Sequence, residues 1–197
     1  VSDIALNLCF RQKQLPTKNI LYGQIIWRHQ QVPVPQPAKF RRRRHEKHRL
    51  VAEGFLVQAR VLDLADEQAV RAYVRELPSV AVLVNSAAVF DERPFLEVAS
   101  EDFRRVYEVN VIAAATLTHE VALRMQGGGR IVNVASRPSL GARNHPHYVA
   151  SKAALVGYTR ASAMELASLG ISVNAIAPGL IETPMLRGLS EERLAAQ

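Results

Sequence analysis

Residues 130–135 read Arg-Ile-Val-Asn-Val-Ala, residues 148–152 read Tyr-Val-Ala-Ser-Lys and open a stretch of helical period running to Leu169, and residues 172–177 read Ser-Val-Asn-Ala-Ile-Ala. A short apolar run, a loop, a long helical segment stopped by Gly170 and a second short apolar run make a strand–helix–strand unit, the repeating element of a parallel α/β sheet. Upstream the alternation continues. Val80 to Ala88 is almost wholly apolar, as a strand covered on both faces must be. Phe55 to Leu62 is another strand, and Asp66 caps a helix reaching about Leu77. Ser100 followed by Glu101 and Asp102 opens a helix that should run to Met125, before Gly127-Gly128-Gly129 ends it. The expected fold is α/β, a doubly wound parallel sheet carried by residues 51–197.

The chain has 197 residues, 48% apolar and 22% charged, enough for one domain with a real core. Its net charge of +7 is unevenly spread: residues 1–50 hold 11 Lys and Arg against 2 Asp and Glu, whereas residues 51–197 hold 14 against 16. Alanine breaks at the same place, with 2 in the first 50 residues and 25 in the remainder, so the two parts differ in origin or in task. Residues 1–50 read as an atypical basic, proline-containing segment, a tail or a non-homologous piece. Within it Ile4 to Phe10 and Ile20 to Trp27 have the character of strands, and Pro33, Pro35 and Pro37 then forbid regular structure up to the basic run Arg41 to Arg44. The one cysteine, Cys9, excludes a disulfide framework and a thiolate metal site and fits a reducing, cytoplasmic setting. No apolar run is long enough for a membrane span.

Chemistry concentrates near residue 150. Residues 51–197 contain thirteen arginines and a single lysine, Lys152, four positions after Tyr148 on the predicted helix. That spacing puts both side chains on one face, one turn apart. An ammonium beside a phenol favours phenolate, which brings tyrosine toward acid–base work. Taken alone, so short a pattern reads as a surface pair; its neighbours change that. Ser136 ends the strand Arg130 to Ala135, where a parallel sheet presents its ligand-facing loops, and its hydroxyl can bond a substrate carbonyl. Asn110 is an amide between Val109 and Val111 inside a helix, and on its own it reads as a satisfied polar residue. His145 and His147 read as exposed loop histidines, with substrate contact as the alternative. Having no cysteine or clustered carboxylates beside them, they do not read as metal ligands.

These positions, with Asp63-Leu64 after one strand, Asn85-Ser86-Ala87-Ala88 after the next, and Val173-Asn174-Ala175-Ile176-Ala177-Pro178-Gly179 leading to Thr183-Pro184-Met185, resemble the short-chain dehydrogenase/reductase family from about Glu53 to Met185. The resemblance implies a Rossmann-like fold and an oxidoreductase that moves a hydride between NAD or NADP and a small carbonyl or alcohol substrate. It implies Tyr148 as the proton-exchanging residue and Lys152 as holder of the nicotinamide ribose. Ser136 would orient the carbonyl, and Asn110 would hold a water that relays protons from Lys152. Asp63, with Leu64, would contact the adenine, and Asn85, Ser86 and Ala87 the adenosine side. Pro178, Gly179, Ile181 and Thr183 would line the nicotinamide end. The bland reading of Asp63 is a turn residue before the Asp66 cap. Family members are often homodimers or homotetramers through the two long helices, and the same is expected here.

The family's opening strand and glycine-rich, phosphate-binding turn have no counterpart, since Gly23 and Gly54 are the only glycines in residues 1–60. The fold is therefore expected to be truncated at both ends, and Ile20 to Trp27 is the candidate to fill the empty central slot of the sheet. Two alternatives of function stay open. One is an inactive fragment or pseudoenzyme; the other is binding of nucleic acid or another acidic partner through the basic tail, which the lack of interleaved aromatics disfavours.

Overall fold

The computed structural model describes residues 59–77 and 79–179, together with the backbone of two strands, β1 (Leu6–Arg11) and β2 (Ile20–Ile25). The basic run Arg41 to Arg44 and the expected cofactor residues Ile181 and Thr183 lie outside these residues. The elements that follow are β3 (Ala59–Leu62), α1 (Glu67–Glu76), β4 (Val82–Asn85), α2 (Ser100–Tyr107), a π-helical turn (Glu108–Ile112), α3 (Ala113–Ala122), β5 (Gly129–Val134), α4 (Pro146–Leu166) and β6 (Ile171–Ile176).

Among the described residues six strands form one sheet in the order β3-β1-β2-β4-β5-β6. β2, β4, β5 and β6 run parallel, and helices separate β4 from β5 and β5 from β6, as parallel crossovers require. β2 pairs with β4 from Ile20 opposite Val82 to Gly23 opposite Asn85, so Ile20–Ile25, within the stretch expected to fill the central slot, supplies the strand beside β4. β1 lies between β2 and β3 and is antiparallel to both, a departure from an all-parallel sheet. The short link between β1 and β2 accounts for it: eight residues suffice for a reversal, whereas a parallel crossover needs a dozen or more.

Burial alternates along the central strands. Leu83 and Asn85 of β4, Ile131 and Asn133 of β5, and Ile171 and Val173 of β6 are buried on one face of the sheet. Against that face pack Val70, Tyr73 and Val74 of α1 and Leu117 and Val121 of α3, in a single apolar cluster. The i, i+3, i+4 spacing on α1 is what one buried helix stripe needs. Asp66 caps α1, its Oδ1 accepting from the Ala69 N–H at 2.9 Å. Arg71 then ties α1 to Glu120, a buried carboxylate on α3.

One helix end differs from the sequence reading. The helix expected to reach Met125 stops at Ala122, where the turn tightens: Arg124 and Met125 donate to the carbonyls of Val121 and Ala122, three residues back. The Met125 side chain then folds beneath Gly129, where a Cβ would collide with its sulfur. Gly128 and Gly170 are required for a second reason. Both have positive φ, and a Cβ on Gly128 would lie 2.7 Å from the Gly170 carbonyl oxygen, so the entries to β5 and β6 touch backbone to backbone. Among the described residues no helix is long and apolar enough to cross a membrane.

Candidate active site

The loops leaving the carboxyl ends of β4, β5 and β6 gather the chemistry. Ser136 follows β5 in extended conformation, and its side chain hydrogen-bonds Tyr148 in the first turn of α4. Lys152, one turn further on, is 2% exposed; its ammonium donates to the Val134 carbonyl at 2.7 Å and lies 5.8 Å from the centre of the Tyr148 ring. Three residues separated by up to sixteen positions thus converge, Ser136 and Tyr148 in direct contact and Lys152 beside them. The loop after β6 joins them: Arg137 N–H donates to the Pro178 carbonyl at 2.9 Å, and among the described residues nothing lies within 4 Å of where a Gly179 Cβ would stand.

Burial sets the acid–base properties. It pushes the Tyr148 phenol above its ordinary value, partly offset by the Ser136 hydrogen bond, and pushes the Lys152 ammonium down to about 8. The Tyr148 shift is opposite to the one expected from the Tyr–Lys spacing. The ammonium is turned to the Val134 carbonyl and the ring, so removal of the phenol from water outweighs the cation.

Asn110 sits in the π-helical turn, 1% exposed. Its Oδ1 accepts from the Val89 N–H at 2.8 Å, and its Nδ2 donates to the Val89 carbonyl at 3.1 Å and to the Ser151 hydroxyl at 3.0 Å. Ser151 in turn donates to the Tyr148 carbonyl at 2.7 Å. The amide's two N–H groups are spent on these bonds, so Asn110 braces the loop after β4 against the tyrosine's own turn.

The expected adenosine-side residues lie apart. Asn85 is 4% exposed and turned toward α3, its Nδ2 bonding Thr118 at 3.1 Å and Asn133 at 2.8 Å while its Oδ1 has no partner. Ser86 and Ala87 follow it, half-buried. Asp63 is exposed and its Oδ1 accepts from the Ala65 N–H at 2.9 Å, closing the turn into α1, while the Leu64 side chain belongs to the core.

His145 and His147 are not exposed loop residues: both are buried, His147 completely. His147 Nε2 lies 2.8 Å from Asp91 Oδ1. His145 packs edge-on against Phe90 and Tyr148, with ring centres 5.1 and 6.0 Å away, and neither of its nitrogens is hydrogen-bonded. Burial holds its imidazole below the ordinary value. For each histidine one partner comes from the loop after β4, Phe90 for His145 and Asp91 for His147, more than fifty residues earlier. The one signal in the sequence was their adjacency to Tyr148.

With this geometry in place the comparisons are unambiguous about class. A family model described as short chain dehydrogenase matches residues 39–194, and the chain belongs to that family. Its sheet and helices are those of the Rossmann-like α/β fold, as expected from the sequence. The chain is 37% identical over 135 residues to the short-chain reductase protein NovJ of Streptomyces niveus, covering 66% of this chain and 52% of that protein. It is 36% identical over 145 residues to a 3-oxoacyl-[acyl-carrier-protein] reductase of Synechocystis, covering 71% and 58%. A crystal structure from Beutenbergia cavernae, described as a putative NAD(P)-dependent gluconate 5-dehydrogenase with NADP bound at low occupancy, superposes with a TM-score of 0.71 at 40% identity, covering 75% of this chain and 63% of that one. The chain thus spans a little over half the length of these relatives.

Proposed function

We propose that the chain carries the reacting centre of an NAD(P)-dependent oxidoreductase that interconverts a carbonyl and the corresponding alcohol. The observation that carries the reading is the contact of Ser136 with Tyr148 beside a buried Lys152. The residues fit the nicotinamide end of a dinucleotide. Lys152 spends one N–H on Val134, leaving donors for ribose hydroxyls, and the small residues Ala87 and Ala88 and the open side of Gly179 let a flat ring approach the backbone. Asp63, at the end of β3, is three strand positions from β4, roughly 14 Å at ordinary strand spacing, in keeping with a role toward the distant adenine. When bound, the cofactor supplies or takes up a hydride.

Tyr148 supplies the matching proton. Because burial raises its phenol, it is protonated at neutral pH and set to donate to a carbonyl oxygen as the carbon is reduced; in the oxidative direction it accepts that proton. Ser136, already hydrogen-bonded to it, donates to the same oxygen and fixes its position. Lys152 holds positive charge beneath them while the pH stays below about 8. NAD and NADP both remain candidate cofactors. Substrate is approached through the relatives, whose names include a 3-oxoacyl reductase and a gluconate dehydrogenase. The Tyr148→Phe variant tests the assignment with NADH and NADPH against a 3-oxoacyl thioester and a keto sugar acid. It should lose on the order of 100-fold or more in kcat while keeping cofactor affinity. Unchanged turnover would contradict the role given to Tyr148.

A further inference from the structure

Two contacts between the loop after β4 and the first turn of α4 fall side by side. Phe90 meets Tyr148 edge-on, ring centres 4.9 Å apart at 85°, and Asp91 meets His147 at 2.8 Å. The pairs are consecutive in both segments. The aromatic contact tolerates sliding, because stacking energy varies slowly with offset. The polar contact does not, since a hydrogen bond weakens steeply as its donor turns away.

Asp91 is itself fixed. Its Oδ2 accepts from Arg105 at 2.9 Å and has Arg93 at 3.8 Å, and both arginines also reach Asp102, at 3.5 and 3.3 Å. Asp102 accepts from the Ala99 N–H at 3.0 Å at the start of α2. Asn110 holds Val89 on one side of the loop, and on the other the Arg93 N–H donates to the Asn144 carbonyl at 2.6 Å. An ionised carboxylate only accepts, so His147 carries its proton on Nε2 and donates it to Asp91. This assigns the tautomer.

We propose that Asp91 and His147 form a clamp that sets the rotation of the first turn of α4 and so holds the Tyr148 hydroxyl against Ser136. His147 is a positioning residue, acting through its chain neighbour Tyr148. The inference rests on the oxidoreductase reading for its kinetic consequence but not for its geometric one.

The test uses the full chain with His147→Phe, which keeps a ring and removes the donor, and His147→Gln, which restores a donor at similar reach. One readout is the ring resonance of Tyr148 in protein labelled with 13C-tyrosine, assigned by its loss in Tyr148→Phe. The other is steady-state kinetics with NADH and NADPH on the substrates named above. His147→Phe should move the Tyr148 resonance and lower kcat about 10-fold or more with KM for the cofactor little changed, and His147→Gln should recover most of the loss. An unmoved resonance with unchanged kcat, or equal losses in both variants, would overturn the clamp. If His147→Phe does not fold, Asp91→Ala decides: it removes the acceptor and should move the same resonance, and an unmoved one overturns the proposal. If the unmodified chain turns over none of these substrates, the reaction assignment fails, and the Tyr148 resonance still decides the clamp.

Discussion

His145 shows how one residue carries a cost that the fold has to meet. Its imidazole is 5% exposed and makes no hydrogen bond through either nitrogen, and burial holds its pKa below 6.5. The unfolded chain therefore takes up a proton, as pH falls through about 6.5, that the native chain refuses, and stability declines across that window. Above it both states are neutral at this position and the contribution is flat. His145→Phe keeps the edge-on packing against Phe90 and removes two unpaired polar atoms. It should stabilise the chain by about 1–2 kcal/mol and flatten the decline, read from urea unfolding at about pH 5.5 and 7.5. Parallel curves for the two proteins would refute this. Lys152 carries a cost of the same sign, a buried ammonium pushed down to about 8 whose placement serves the site at the expense of stability.

At the scale of elements, the helices and strands of residues 59–179 were legible because their signals are local. Asp66 caps α1 as its position before an apolar stripe implies, and Gly170 stops the helical segment in left-handed conformation. The π-helical turn was not legible, since Val109-Asn110-Val111 has the same period whether or not one residue bulges out. Nor was the burial of His145 and His147, because the residues that cover and bond them are remote in sequence and the local composition suits an exposed loop. The direction of β1 was hidden too, for apolar pattern names a strand without giving its partner. The π turn carries its own prediction. Asn110→Leu leaves the Val89 N–H and carbonyl unpaired in the interior and frees Ser151, and should destabilise the chain by about 2–4 kcal/mol in urea unfolding. Asn110→Asp, which keeps the acceptor for the Val89 N–H, should fall between. A loss within experimental error for Asn110→Leu would show that the brace contributes nothing.

For the whole molecule, the catalytic candidates were readable as an ordered set of motifs, and the sheet explains their order: β5 delivers Ser136, the loop after it delivers α4 with Tyr148 and Lys152, and the loop after β6 closes against Arg137 through Pro178. Residues 1–60 carry no glycine-rich phosphate turn, so retention of a dinucleotide is the claim on which the account turns. The direct measurement is a calorimetric titration of the 197-residue chain with NADH and with NADPH, beside the Lys152→Ala variant at pH 7, below the titration of Lys152. The account predicts saturable binding of at least one cofactor that the variant loses or weakens severely. No binding by a folded chain, or binding that Lys152→Ala leaves unchanged, would contradict it.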